Sequence, residues 1–471
     1  MAYDELCWLP ATDLAGAIKR KKVSPVEVVE AVLARIEKLN PTLNAYCTVT
    51  ADAARREAKA AERALMKRGA KLGPLHGVPF SIKDLIITKG VRTTWGTRLY
   101  ADHVPEEDAP VVERLKTAGG VLVGKTNTPM FGWIGATHNL LFGATRSPWN
   151  PDRTPGGSSG GAGAAVAAGM APLAVGTDGG GSIRIPSSFS GIFGLKPSYG
   201  RVPTYPPSAA WSLSHAGPMT RTVADAAMML NVLAGPDERD QYSLPPSGVD
   251  YVKALRGSLR GLRVAWSSTL GFAKVVDPEV AALAERAARS FKHFGCRVEA
   301  VDPKFPDPSE AWYALFCGGI AARLMPYFPD RKADIDPGLA RIIEETLKWP
   351  PSKYVQAWFD RLAFWEPVRK FFADYDLLLT PTVACPPFKV GLDNPTEIAG
   401  TPIGEYMWTP FTFPFNMTGQ PAASAPCGFT KDGLPIGLQI VGRRFDDATV
   451  LRAAAAFEKA HPWAERRPPI G

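Results

Sequence analysis

Apolar positions in the first part of the chain recur at helical spacing. Ser24, Pro25 and Glu27 supply an N-cap, a proline at the first helical position and a capping-box partner. Val28, Val29, Val32, Leu33 and Ile36 then form one apolar stripe, predicted to stop at Asn40-Pro41. A second amphipathic helix is predicted over 51–68, ended by Gly69. Short apolar runs at 78–82, 121–123 and 174–175 read as strands, with helical patterns at 110–118 and 163–169 between them. This alternation predicts an α/β architecture. Over 237–375 the pattern turns helical and aromatic, with Trp312, Trp349, Trp358 and Trp365, and reads as an insertion or cap. Strand character resumes at 376–382 and 437–441, and Asp446 or Asp447 caps a last helix that runs through Ala460. The expectation is one domain: a core from about 70 to 235, a helical insertion from about 237 to 375, and a core resuming over 376–471.

Composition narrows the class of protein without changing that picture. Hydrophobic residues make up 45% and charged residues 21% of 471 positions, enough for a sizeable core. The net charge of +8 is spread out. The densest basic run, Lys19-Arg20-Lys21-Lys22, lies between two helical patterns, so a nucleic-acid partner is not expected. Six scattered cysteines lack a C-x-x-C, and six dispersed histidines lack ligand spacing, so neither disulfides, a metal nor a cofactor is expected. The first ten residues carry Asp4 and Glu5 instead of a leader pattern, and no apolar run reaches bilayer length. A cytoplasmic protein without membrane contact, monomeric or homodimeric, is the expectation.

Three glycine-rich segments compete for the chemistry. The run GGVLVGKT (119–126) fits the phosphate-loop pattern, yet its variable positions are the strand itself, and Asn127-Thr128-Pro129 opposes an immediate helix. Gly156-Gly157-Ser158-Ser159-Gly160 fits the nucleophile elbow, but the preceding NPDRTP (150–155) is no central strand. His215, His293 and His461 follow downstream in undistinguished contexts. The third segment, GTDGGGSIRIP (176–186), places Ser182 after Gly179, Gly180 and Gly181. Consecutive glycines let backbone N–H groups converge on one point, which an oxyanion pocket requires. Two glycine-flanked serines and a lysine at a strand end upstream favour catalysis over an ordinary loop.

These residues resemble the amidase signature family. The likeness rests on PLHGVPFSIKD (74–84), VGKTN (123–127), TPGGSSGG (154–161), GTDGGGSIRIP (176–186), GIFGLKP (191–197) and GLPIGLQIV (433–441). It covers nearly the whole chain, being densest over 72–234 and loosest over 237–375. The resemblance implies a central mixed β-sheet flanked by helices. It also implies a Ser–cis-Ser–Lys triad of Ser182 as nucleophile, Ser158 as proton relay and neutral Lys83 as base. Backbone N–H groups of Gly179, Gly180, Gly181 and Ser182 would hold the oxyanion. Ser159 would bond the lysine or its surroundings, and Asp178 with Arg184 would shape the loop. Serine needs an adjacent base, and a lysine serves only when desolvation or nearby positive charge keeps it neutral. Val78, Phe80 and Ile82 would bury the strand that carries Lys83, so activity is expected to rise with pH toward a neutral-to-alkaline optimum.

Two departures from the family pattern bear on the pocket. Gly179 stands where relatives often carry threonine or a larger residue, which predicts a more open or mobile wall. Ile185 stands where amidotransferase-like members often have glutamine, which points to a free-standing amidase. Aromatic stretches at 131–133, 199–211, 312–313 and 406–415 suggest a hydrophobic or aryl small-molecule amide, with esters and carbamates open to the same chemistry. The rival readings are a glutamine-hydrolysing subunit of a tRNA-dependent amidotransferase and a nucleotide-binding protein using residues 119–126.

Overall fold

A computed structural model describes residues 3–470. Among them, the first long helix, Pro25–Leu43, begins with the complete capping box at Ser24 and Glu27. It runs through Pro41 instead of stopping there. Proline in the last turn forfeits one bond, and Asn40 compensates by bonding the Tyr46 backbone in both directions, at 3.0 and 2.8 Å. Asn44 then closes the helix in the left-handed region, at φ 49°. The next helix spans Ala51–Met66, and Gly69 turns the chain at φ +74°.

The strands are β1 (Tyr46–Val49), β2 (Pro79–Lys83), β3 (Val121–Thr126), β4 (Leu173–Asp178), β5 (Phe193–Lys196) and β6 (His215–Thr220). They continue with β7 (Arg263–Trp266), β8 (Arg297–Ala300) and β9 (Leu377–Pro381). A small ribbon of β10 (Glu397–Ile398) and β11 (Thr401–Pro402) stands apart, followed by β12 (Ala422–Phe429) and β13 (Pro435–Gly442). All but the ribbon join one sheet in the order β1-β3-β2-β4-β6-β5-β12-β13-β9-β7-β8. The β3-β2-β4 and β9-β7-β8 groups are parallel, and the pairings around them antiparallel.

Two of these strands correct the expected boundaries. Residues 237–375 are not a helical insertion throughout, because β7 and β8 extend the sheet in parallel beyond β9. Four-residue strands are too short for periodicity to reveal. The helical cap is narrower, built from Ser309–Leu324, Pro337–Thr346 and Pro351–Asp374. The last helix, Asp447–Ala460, takes Asp446 as its N-cap, whose side chain accepts from the Thr449 N–H at 3.1 Å.

Strand alternation divides the interior between the two sheet faces. Leu377, Leu379, Leu438 and Ile440 join one apolar cluster with the N-terminal helices and the last helix. Leu378 and Val441 join the other, where the cap meets the 406–417 segment in a mass of aromatic rings. No helix of the described residues is long and apolar enough to cross a membrane.

Close approach explains the glycines around residue 160. Helix Gly160–Ala167 abuts the end of β3 so tightly that a Cβ on Gly161 would lie 2.4 Å from Asn127 N and 2.5 Å from Ala45 O. Both neighbours are backbone and cannot rotate aside. Gly161→Ala is expected to cost about 1–3 kcal/mol by overpacking, read as a lowered Tm. Gly404→Ala, whose new Cβ would meet only Met407 Cγ at 3.5 Å, should leave the melt unchanged.

Candidate active site

The parallel strands β2 and β4 end at the same sheet edge, where ligand crevices form in α/β folds. Lys83 closes β2, fully buried, as Phe80 and Ile82 on the same strand are. Its Nζ lies 2.7 Å from Ser158 Oγ and 2.9 Å from Thr177 Oγ1 at the end of β4. Burial pushes the lysine well below its usual value, against a smaller upward pull from the Asp178 charge.

Ser158 follows a cis peptide bond from Gly157, and Ser159 stands between it and the helix Gly160–Ala167. The neighbouring Ser159 makes no hydrogen bond to the lysine among the described residues. Its hydroxyl donates to Thr177 O at 3.2 Å and accepts from the Thr177 N–H at 3.3 Å, and its own N–H donates to Ser182 O at 3.2 Å. Ser159 thus ties together the three segments that carry Lys83's partner, Ser158 and Ser182.

The glycine loop between β4 and the helix Arg184–Ser190 is held by its acid and its base. Asp178 accepts from the Gly181 and Ile183 N–H groups at 2.8 and 3.1 Å. Arg184, with no exposed surface, donates twice to Asp178 at 3.0 and 2.8 Å. Its other three donors go to Thr412 O, Gln439 Oε1 and Asn416 Oδ1, at 2.8, 2.8 and 2.7 Å. Every guanidinium donor is therefore satisfied. Burial alone would raise the Asp178 carboxyl, but the Arg184 charge and hydrogen bonds hold it far below the usual range.

Two side chains turn the loop's carbonyls outward. Trp312 Nε1 donates to Gly179 O at 3.1 Å, and Thr412 Oγ1 donates to Gly180 O at 2.6 Å. The N–H groups of Gly179, Gly180 and Ser182 have no acceptor among the described residues. Gly181 departs from the expected set, because its N–H is already given to Asp178. Gly181 sits at φ +137°, and an added Cβ would meet Thr412 Oγ1 at 2.6 Å, so only glycine fits there. The wall at Gly179 is not open as expected. Phe316 fills the space, and an added Cβ would come within 3.1 Å of its ring.

Ser182 borders a small cavity of about 20 Å³ lined by Trp133, Ile185, Trp312, Phe316, Tyr406 and Trp408. Ile185 is thus a wall residue, and three of the four aromatic stretches singled out in the sequence contribute to this cavity. The fourth, around Tyr205, lines a second cavity of about 70 Å³ that reaches Thr177, with Trp95, Phe131 and Arg323. Thr177, Thr412, Asn416 and Gln439 escaped the sequence reading. Only Thr177 carried a signal, standing beside Asp178 at a strand end.

The competing motifs dissolve. Lys125 lies within β3 and spends its Nζ on Ile86 O, Thr88 Oγ1 and Thr93 Oγ1 at 2.6, 3.1 and 2.6 Å, so it is not a phosphate ligand. His215 is buried with Leu213 O 2.9 Å from Nδ1 and Lys196 Nζ 3.4 Å from Nε2.

A mixed sheet with two serine-bearing glycine segments meeting a buried lysine defines the amidase class. The Amidase family model matches residues 27–451, and the chain belongs to that family, the amidase signature enzymes. It is an amide-hydrolysing enzyme. Over 473 residues it is 41% identical to the Acylamidase of Rhodococcus erythropolis, covering 99% of this chain and 98% of that one. It is also 40% identical over 492 residues to a Glutamyl-tRNA(Gln) amidotransferase subunit of Moorella thermoacetica, with 99% of each chain covered. Among solved structures it superposes on a bacterial aryl acylamidase of the amidase signature family with a TM-score of 0.91, at 36% identity and 97% coverage of both chains.

Removing one partner of a buried ion pair strands the other charge. Arg184→Met is expected to destabilise the protein by about 3–5 kcal/mol in denaturant unfolding. A loss below about 1 kcal/mol, the scale of an exposed pair, would show that the pair does not hold the loop.

Proposed function

We propose that this chain hydrolyses hydrophobic or aryl acylamides through an acyl-enzyme on Ser182, with Ser158 as proton relay and neutral Lys83 as base. The observation that carries the reading is the 2.7 Å contact of a fully buried lysine with Ser158. A neutral amine has two N–H groups and one lone pair. Nζ donates to Thr177 Oγ1 and accepts from the Ser158 O–H, which frees Ser158 to accept the proton of Ser182. Ser182 Oγ then bonds the amide carbon. The carbonyl oxygen gathers negative charge against the N–H groups of Gly179, Gly180 and Ser182. The proton held by Lys83 returns through Ser158 to the leaving nitrogen as the C–N bond breaks. Water enters by the same relay, releases the acid and restores Ser182. Esters and carbamates form the same tetrahedral oxyanion and are expected substrates.

The aromatic wall around Ser182 supports an apolar or aryl substituent. The Rhodococcus relative and the aryl acylamidase structure support the same class. A second reading is the glutamine-hydrolysing subunit of an amidotransferase, favoured by the 40% identity to the Moorella protein. Ile185 and the indoles of Trp133 and Trp408 oppose it, because they offer a polar amino acid little to bind. Ammonia transfer to a charged tRNA by a copurified partner would establish it.

A fluorophosphonate should label wild-type protein and fail to label Ser182→Ala. Labelling that survives in Ser182→Ala and vanishes in Ser158→Ala reverses the assignment of nucleophile. Lys83→Met should lower kcat/KM by about three orders of magnitude or more, since members of a catalytic unit fail together.

The pH profile follows from the buried lysine. The base works when unprotonated, so kcat/KM climbs with pH through the folded pKa of Lys83. The plateau comes below the ordinary lysine value of about 10.4. A profile unchanged from about pH 5 to 9 counts against Lys83 as base. Stability carries the matching sign. A lysine whose folded pKa is depressed binds its proton more readily unfolded, so its contribution is complete above about pH 10.4 and is lost as pH falls through the folded value. Lys83→Met should flatten that slope in Tm against pH.

A further inference from the structure

The cavity that reaches Thr177 carries a single charge. Its walls are the rings of Trp95, Phe131 and Tyr205, the proline-rich segment 203–207 and Thr177 itself. Thr177 Oγ1 bonds Lys83 Nζ at 2.9 Å, so a group seated here borders the lysine's other partner, Ser158. A volume of about 70 Å³ holds about five waters, or a carboxylate on a short chain. Arg323 is the one charged side chain on these walls, and it has no hydrogen bond or ion pair among the described residues. Glu107 and Asp240 touch wall residues without lining the cavity. Glu107 accepts from the Tyr205 hydroxyl at 3.0 Å, and Asp240 accepts from the Thr204 and Tyr242 N–H groups at 2.8 and 3.0 Å. With no carboxylate on the walls, an ammonium group finds no partner, so the cavity suits an anion and not a zwitterionic amino acid.

The fold directs this arginine at the cavity. It stands in the last turn of the helix Ser309–Leu324, one turn after Gly319 and on the same helix face. That face is pressed against the cavity wall. An added Cβ on Gly319 would collide with the carbonyl oxygen of Ala209, and Ala209 lines the cavity. The Arg323 charge also bears on the Tyr100 hydroxyl, whose ring meets Trp95 edge-on at 4.7 Å. An arginine with free donors takes a carboxylate through two parallel N–H bonds, which are stronger than neutral ones.

We infer that Arg323 is a specificity-determining residue that pairs with a carboxylate of the substrate, so that one substituent of the scissile amide is aryl and the other is a short chain ending in a carboxylate. This rests on the acylamide reading above and narrows it. The competing account is that a basic residue in the last turn only offsets the helix dipole, a role that asks nothing of the substrate.

The test uses two pairs of amides, each a carboxylate and its primary carboxamide, which keeps the shape and removes the charge. N-benzoyl-β-alanine and N-benzoyl-β-alaninamide place the group on the amine side, and release of benzoate is followed. Succinanilate and its carboxamide place it on the acyl side, and release of aniline is followed. Each kcat/KM is measured in wild type, Arg323→Met and Arg323→Lys. The carboxylate-to-carboxamide ratio cancels the intrinsic reactivity of each amide between the proteins. In at least one pair that ratio should fall about fivefold or more in Arg323→Met, the scale of one charge-assisted bond at a partly solvated site. Arg323→Lys keeps the charge and should recover most of that loss.

A smaller fall in both pairs overturns the inference, including the case in which all four amides slow equally, because that reports the helix end. A lysine variant that loses as much as the methionine variant also overturns it, since the effect then follows side-chain shape and not charge. Arg323 is exposed, and Arg323→Gln gives the same reading should the methionine variant not fold. Wild-type enzyme that takes a fluorophosphonate yet cleaves none of the four overturns the aryl-amide reading itself, and the Arg323 assignment with it. Wild-type enzyme that cleaves only the carboxamides overturns Arg323 alone.

Discussion

The site depends on the buried pair of Asp178 and Arg184. A loop of three consecutive glycines has more conformations to lose on folding than almost any other sequence. Apolar packing cannot restrain it, since it offers no side chains to pack. Asp178 instead takes the Gly181 and Ile183 N–H groups, and Arg184 anchors that carboxylate to Thr412, Asn416 and Gln439. A buried ion pair is tolerable only when its remaining donors and acceptors are satisfied, and here they are. The pairing also matters to Lys83. A lone Asp178 charge would draw a proton onto the lysine, whereas a carboxylate matched by a guanidinium exerts a smaller field and lets burial prevail.

The helical cap is part of this machinery and not only a lid. The helix Ser309–Leu324 brings Trp312 and Phe316 against the loop from the far side. Trp312 lines the cavity with its ring and draws out the Gly179 carbonyl with its nitrogen. One side chain therefore shapes both the cavity beside Ser182 and the peptide planes of the glycine loop. Phe316 occupies the room that a side chain at position 179 would take, so the glycine and the phenylalanine are complementary choices. A change in this helix made to alter specificity would also disturb the loop, which couples recognition to rate.

The features legible in the sequence were those carried by local pattern. The triple glycine before Ser182, the lysine after an apolar run and the capping box at Ser24 all depend on neighbours a few positions away. The groups that anchor Arg184 were illegible for the opposite reason. Thr412 and Gln439 meet Arg184 across separations of 228 and 255 residues, and an isolated threonine or glutamine carries no mark of such a partner. Strands β7 and β8 were lost because four residues cannot display a period. β12 was lost because AASAPCGF is made of small residues, with a bulge between Pro426 and Gly428, and lacks the branched side chains that signal a strand. The Gly179 expectation failed because an absent side chain was equated with empty space, and packing density forbids that inference.

Adjacent serines with separate duties complete the logic of the site. Ser158 gives its side chain to Lys83, while Ser159 gives both backbone and side chain to the strand end and the glycine loop. Because they are consecutive, the residue that contacts Lys83 cannot shift without moving the residue that bonds the Ser182 carbonyl. The contacts joining them are mostly to main chain, which no substitution of the partner removes. In the proposed relay, the distances are set by backbone and the chemistry by one buried amine. Substrate range is then set in the walls, where a change at Trp312 or Phe316 also disturbs the glycine loop, and a change at Trp408, whose Nε1 bonds Asn394 Oδ1, leaves the loop's hydrogen bonds in place.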